Sequence, residues 1–161
     1  MAAYMKFDGV DGPCEIDGHK TWIVLESWSW DAERMVSGGN QVGLASGVAK
    51  FGVLSFSAPI GSATVTMFQK MVQGQHFKDV LIDCTKSTGK EAPEVWLKLK
   101  LEHVLVTKIA QSVDEDENKD EIELVFSQVE MKVKDQEADG KLSSKEKIFY
   151  YDITKATTAA S

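Results

Sequence analysis

Two stretches of this chain alternate apolar and polar residues, and each changes face midway. In residues 94–109, Leu97, Leu99 and Leu101 alternate against Lys98, Lys100 and Glu102, after which Val104 and Val106 carry the apolar face on the opposite parity. In residues 121–134, Ile122, Leu124 and Phe126 share one face, and Val129, Met131 and Val133 continue on the other. Strand side chains point to alternate faces, so a parity change means a bulge or a bend from one sheet into another. Two long neighbouring strands that both switch face are the pattern of a small barrel. The expected fold is mainly β: a closed or nearly closed barrel of two packed sheets, one short flanking α-helix and a long projecting loop.

The rest of the chain fits that frame. A short extended segment at 4–8 leads into turns at Gly9, Gly12-Pro13 and Asp17-Gly18. Residues 19–31 read as one strand, with Trp22, Val24, Trp28 and Trp30 on one parity and Ile23 and Leu25 on the other, apolar on both faces near its middle. The Gly-rich run Ser37, Gly38, Gly39, Asn40, Gln41, Val42, Gly43, Leu44, Ala45, Ser46 has no periodicity and reads as a long loop over 35–47, or a partly paired hairpin arm. Residues 48–58 read as a strand ended by Pro59, with Phe51, Val53 and Phe56 facing inward. A helix follows Gly61; Val65, Phe68, Met71 and Val72 supply its apolar stripe, Ser62 or Thr64 its start and Gly74 its end. Phe77, Val80, Ile82 and Cys84 are the inward positions of a strand over 76–86. A last strand over 145–154 has Ile148, Tyr150 and Asp152 on one side, and a tail of small residues at 156–161 frays. The total is seven or eight strands in one domain, residues 1–161.

Charge and composition narrow the function classes. The formal net charge is −7, and no basic run or basic-aromatic cluster stands ready for phosphates, which argues against nucleic acid as a partner. No apolar run approaches the ~20 residues that span a bilayer, so membrane insertion is not expected. The N-terminus carries neither a cationic head nor an apolar core of the secretory type. The chain is therefore expected to fold in the cytoplasm, or to leave it by a route that reads no cleavable signal. Cys14 and Cys84, far apart and outside any C-x-x-C, read as two reduced thiols.

Candidate chemistry is sparse, and no cofactor, metal or catalytic residue is expected. His19, His76 and His103 lie outside metal-ligand spacing of one another and of the cysteines. Cys84 sits in an apolar strand and Cys14 in a turn, without the helix N-terminus that activates a thiolate. Asp114, Asp116 and Asn118 have the spacing of a calcium loop, but Lys119 stands where a glycine is needed and Val125 where a bidentate Glu is needed. The run 114–121 reads instead as a solvated acidic turn. Ser87-Thr88-Gly89-Lys90 lacks the upstream glycine of a phosphate loop and opens toward Pro93 and a strand. Trp22, Trp28 and Trp30 have the chemistry to stack sugars or bases, but their place in an apolar strand favours core or inter-subunit packing.

Taken in order, several blocks resemble the Hcp family, the tube proteins of type VI secretion systems. They are His19-Lys20-Thr21-Trp22-Ile23 ending in Ser27-Trp28-Ser29-Trp30, the Gly-rich arm, Leu54-Ser55-Phe56-Ser57, the helix leading into Gly74-Gln75-His76-Phe77-Lys78, and the two long strands that switch face. The sequence departs from the usual pattern after Phe56, where Ser57-Ala58-Pro59-Ile60-Gly61 replaces a segment that often carries a Lys and an Asp, and in the density of the acidic run 114–121. The resemblance implies a phage tail-tube-like barrel that forms homohexameric rings. It implies rings stacked into a secreted tube inside a contractile sheath, with the spike protein, sheath and effector proteins as partners. It also implies that the lumen carries or chaperones effectors and that export needs no signal peptide. On this reading the Gly-rich arm reaches the next ring along the axis, and six weak arms together give avidity. A tube protein of a phage tail or another contractile injection device, a small-molecule-binding barrel, and a hydrolase using Cys84, His103 and a carboxylate remain the competing readings.

Overall fold

The computed structural model describes residues 1–37 and 45–158. Eleven strands and one helix occur among them: β1 (Ala2–Phe7), β2 (Ile23–Leu25), β3 (Ser27–Ser29), β4 (Ala32–Ser37), β5 (Ala45–Phe51), β6 (Leu54–Ala58), α1 (Ser62–Gln73), β7 (Phe77–Lys86), β8 (Glu94–Val113), β9 (Asn118–Val125), β10 (Gln128–Gln136) and β11 (Leu142–Asp152).

The long hairpin of β8 against β9 and β10 is the spine. Val129 pairs with Leu101 and Val125 with Leu105, so β9 and β10 run along the same side of β8 in one register, interrupted at Phe126 and Ser127. The predicted face change is real in both arms. In β8, Leu99 and Leu101 are buried before the switch and Val104 and Val106 after it, and His103 between them adopts φ 51°. That left-handed conformation is uncommon for a residue with a Cβ and more frequent for His than for most. It lets β8 leave one sheet and enter another. A second irregularity between Val106 and Lys108 completes the bend.

The first half of β8 pairs with β7 and β10, extending to β1 and β2 on one side and β11 on the other. The second half pairs with β9, followed by β6 and β3. The chain crosses between the two sheets at Glu26, whose N–H donates to Ser57 O at 2.9 Å. This contact nearly closes the barrel. Residues 19–31 are therefore not the one strand that the pattern predicts. Residues around Thr21 (φ 66°) form turns, β2 serves one sheet and β3 the other. Ile23 and Leu25 are buried while Val24, on the opposite face of the end strand β2, is exposed. The single strand expected over 48–58 is likewise broken at Gly52-Val53, and Val53 faces solvent.

Met5, Phe7, Leu54, Phe77, Ile82, Leu99, Leu101, Ile122 and Leu124 fill the space between the sheets, each essentially inaccessible to solvent. Burying each such side chain contributes about 1.5–3 kcal/mol. The inward set predicted for β7 is met in full: Phe77, Val80, Ile82 and Cys84 are all buried.

Helix α1 begins after Gly61 and ends in a Schellman arrangement at Gly74 (φ 66°), with Gly74 N–H on Met71 O and Gln75 N–H on Lys70 O. Its buried face differs from the expected stripe. Ala63, Thr64 and Met67 point inward, whereas Val65 and Val72 are 59% and 79% exposed. The reason is polar. The Thr64 hydroxyl donates to Oδ2 of buried Asp120 on β9, and Gln111 Nε2 donates to the other carboxylate oxygen at 2.8 Å. Thr64 reaches that carboxylate only from an inward face, and the pairing spares a buried polar group the cost of going unsatisfied.

β11 also has the opposite parity to the one expected. Phe149 and Tyr151 pack against the core, and Ile148 is 60% exposed. Asp152 is buried at the strand end, accepting from Thr154 N at 2.9 Å, Lys155 N at 3.2 Å and Gln128 Nε2 at 3.1 Å. The hydroxyl of Thr154 is the strongest of the influences that hold its carboxyl below the ordinary range.

Candidate functional site

Reactive side chains do not converge where the sequence offered them. Cys84 pairs with Leu97 across β7 and β8, and His103 lies six positions further along β8. At ~3.3 Å per residue they are roughly 20 Å apart. Cys84 is buried and His103 is exposed. Burial is the main cause that pushes the Cys84 thiol up; the Trp28 side chain, hydrogen-bonded to it, acts in the opposite direction. His19 is a buried clamp: Nε2 lies 2.8 Å from Asp83 Oδ2, the ring stacks on Tyr4 at 4.3 Å, and Trp22 meets it edge-on at 4.8 Å. Among the described residues, no group of three or more His, Cys, Asp or Glu is placed to hold a metal ion. Both cysteines are free and buried.

The acidic run forms the β8–β9 turn. Asp114 Oδ1 accepts from Asp116 N at 2.8 Å and Glu117 N at 2.9 Å, and these bonds hold its carboxyl below the usual range. Lys119 lies 3.0 Å from Glu117 and 3.7 Å from Glu121. The turn satisfies itself.

Sheet edges are the more informative feature. The sheet made by the second half of β8, β9, β6 and β3 is antiparallel throughout. With four strands, its two outer members run in opposite directions. β3 has β6 on one side, and residues 105–113 of β8 have β9 on one side; no other described strand pairs with either. Its solvent face carries a groove of about 500 Å³ lined by Ser27, Ser29, Ser55, Ser57, Lys108 and Glu123. Ser27 and Ser57 share a hydrogen bond at 2.8 Å across it.

The three tryptophans separate. Trp22 is half-buried beside His19. Trp28 packs against the core from β3, and Trp30 stacks on Phe51 at 5.9 Å. Of the Gly-rich run, Ser37 pairs with Ala45 and Val36 with Ser46, so the arm is a hairpin at its base. Gly38, Gly39, Asn40, Gln41, Val42, Gly43 and Leu44 lie outside the described residues. The Asp120 anchor, the Glu26 corner and the partners of Phe51 had no signal in the sequence, because each depends on residues far apart in the chain.

Two open antiparallel edges, a bent central hairpin, one helix and an outlying hairpin define a nearly closed barrel of the type seen in solved type VI secretion proteins. One such structure, a type six secretion system protein, is 24% identical over 97% of this chain and 98% of its own, with a TM-score of 0.88. Hcp1 from Salmonella typhimurium is 23% identical, covering 96% of this chain and 95% of its own, at 0.79. A type VI secretion system effector from Yersinia pestis is 22% identical, covering 93% and 98%, at 0.72. No curated protein matches the chain. The model of the family described as type VI secretion system effector, Hcp, matches residues 4–133. The chain belongs to the Hcp family, the tube proteins of type VI secretion.

Among the described residues no helix is long and apolar enough to cross a membrane.

Proposed function

We propose that this chain is the one-domain subunit of a homohexameric ring, and that rings stack into the secreted inner tube of a type VI apparatus. The single observation that carries this is the pair of open edges on the four-stranded sheet. Because β3 and the second half of β8 run antiparallel, the β3 edge of one copy can continue the ladder from the β8 edge of the next without breaking the alternation. This is a heterologous contact, which closes into a ring when the rotation per copy divides a full turn. It also covers edges that a soluble protein must otherwise guard.

In such a ring the core lies outside this sheet and its serine-lined face lines the channel. Short hydroxyls with Lys108 and Glu123 make a polar lumen suited to holding effector proteins without burying apolar surface. The spike and sheath are the further partners, and the arm formed by residues Ser37 to Ser46 meets the adjacent ring. The function is structural, with no reaction assigned. Export follows assembly in the cytoplasm.

The test is a cysteine pair across the edges: Ser29→Cys combined in turn with Lys108→Cys, Ala110→Cys and Ser112→Cys. Cys14 and Cys84 are buried and leave the background quiet. One of the three pairs is expected to give a covalent ladder that stops at six times 17.8 kDa. A monomer at high concentration, with no ladder from any pair, overturns the reading.

A further inference from the structure

The hairpin β4–β5 forms its own two-stranded sheet, and among the described residues no backbone ladder joins it to the nine strands of the barrel. Its two strands pair from Ala32↔Phe51 to Ser37↔Ala45, with an irregularity between Arg34 and Val36. A two-stranded ribbon has little independent stability, and nothing in its own ladder fixes its direction relative to the rest of the molecule. The described ring contacts that bear on its direction lie where the hairpin leaves the barrel.

Four aromatic rings meet at that point, and each comes from a different junction. Trp30 lies between β3 and β4. Phe51 is the last residue of β5. Phe126 sits in the break between β9 and β10, and Tyr151 is next to last in β11. Phe51 is the hub: its ring lies 5.9 Å from Trp30, 6.2 Å from Phe126 and 5.1 Å from Tyr151, and Trp30 is 6.2 Å from Phe126. Stacked and edge-on rings at these separations have preferred mutual angles, so they resist rotation as well as separation. The two chains leave side by side, with Gly52 N–H donating to Asp31 O at 3.1 Å. A Cβ at Gly52 would fall 1.9 Å from Asp31 Oδ1, so a larger residue there requires that exposed carboxylate to swing aside.

We infer that the Trp30–Phe51–Phe126–Tyr151 cluster is an aiming device: it locks the hairpin at one angle to the barrel, so that the arm is presented ready to meet a second copy of this chain in the adjacent ring. The inference rests on the arm's place in ring stacking proposed above. Preorganisation of this kind lowers the entropy lost on contact. In a closed ring it presents every arm at the same inclination, which simultaneous engagement requires. Phe126 and Tyr151 thus act as positioning residues for a hairpin to which they do not belong.

The experiment places spin labels at Glu33→Cys on β4 and Glu15→Cys on the barrel, both exposed. Labelled chains are diluted into unlabelled protein, and the distance distribution is compared between the labelled parent and Phe51→Ala. Ring and tube formation are followed by electron microscopy. The expected result is a single narrow distance in the parent, loss of that narrow peak in Phe51→Ala, rings retained and stacking lost. Should Phe51→Ala fail to fold, Phe51→Leu keeps the apolar bulk while removing the ring, and is expected to broaden the distance with rings retained. A narrow, unshifted distance in all the folded variants overturns the aiming role. A broadened distance with parent-like tubes overturns the arm's part in ring stacking instead, which separates the two failures.

Discussion

The barrel and the hairpin β4–β5 are held by different means. Every barrel strand is fixed twice, by a backbone ladder and by side chains in a shared core. Among the described residues, the hairpin has its own short ladder and meets the barrel's rings at an aromatic junction. A region fixed by two independent constraints keeps its shape in isolation. A region held by a ladder of its own takes its direction from the junction at its base. The contrast suits the proposed role, in which the barrel builds the ring and the arm makes a new contact when rings stack.

Changes in the barrel should dominate stability. Phe77→Ala removes a fully buried ring at the meeting of β7 and β8 and should cost about 3–5 kcal/mol, read from the urea midpoint at unchanged slope. A loss below ~1 kcal/mol would show that the core is not the constraint assigned to it.

Next comes the polar anchor under α1. Thr64→Val leaves the Asp120 carboxylate short of a donor and should cost about 1–3 kcal/mol. Thr64→Ser, which keeps the hydroxyl, should recover most of it. Equal losses in the two variants would mean that packing of the threonine methyl, and not the hydrogen bond, holds the helix.

A smaller effect depends on pH. Asp152, with Thr154 as its principal partner, and Glu94, held by Lys90 and Thr88, both have carboxyls below their ordinary range. For a depressed acid, the stabilisation is complete above the unfolded value of about 4 and is lost as pH falls through the folded value. Unfolding free energy should therefore decline below about pH 4, and the slope should flatten in Asp152→Asn. An unchanged slope would remove Asp152 from the acid response.

The smallest effect on stability belongs to the arm. Replacing residues 38–44 by a two-residue Gly-Gly turn, which keeps the pairs Val36–Ser46 and Ser37–Ala45, should change unfolding by less than about 0.5 kcal/mol, since loop length enters only logarithmically, and should leave rings intact while abolishing tubes. Parent-like tubes would end the arm's proposed role. A large fall in the midpoint would erase the contrast between the two regions.

Where one residue's pattern decides its place, the sequence was readable. The parity switches in 94–109 and 121–134 foretold the bend at His103 and the break at Ser127 because strand side chains have a period of two. Gly74 marked the helix end because few other residues adopt its left-handed conformation. The resemblance in the ordered blocks pointed to the family that the match over residues 4–133 establishes.

Only the tertiary structure decided what depends on distant partners. Helix periodicity pointed to one stripe on α1, Val65, Phe68, Met71 and Val72, whereas the bond from Thr64 to Asp120, 56 residues away, lies on the face that is buried. The tryptophan-rich run looked continuous because apolar alternation does not record that β2 and β3 belong to opposite sheets. Phe51 read as one inward aromatic in a strand, and its role emerged when four junctions brought Trp30, Phe126 and Tyr151 around it. Local patterns fix which way a side chain points along its own strand; what waits on that side is a property of the whole folded chain.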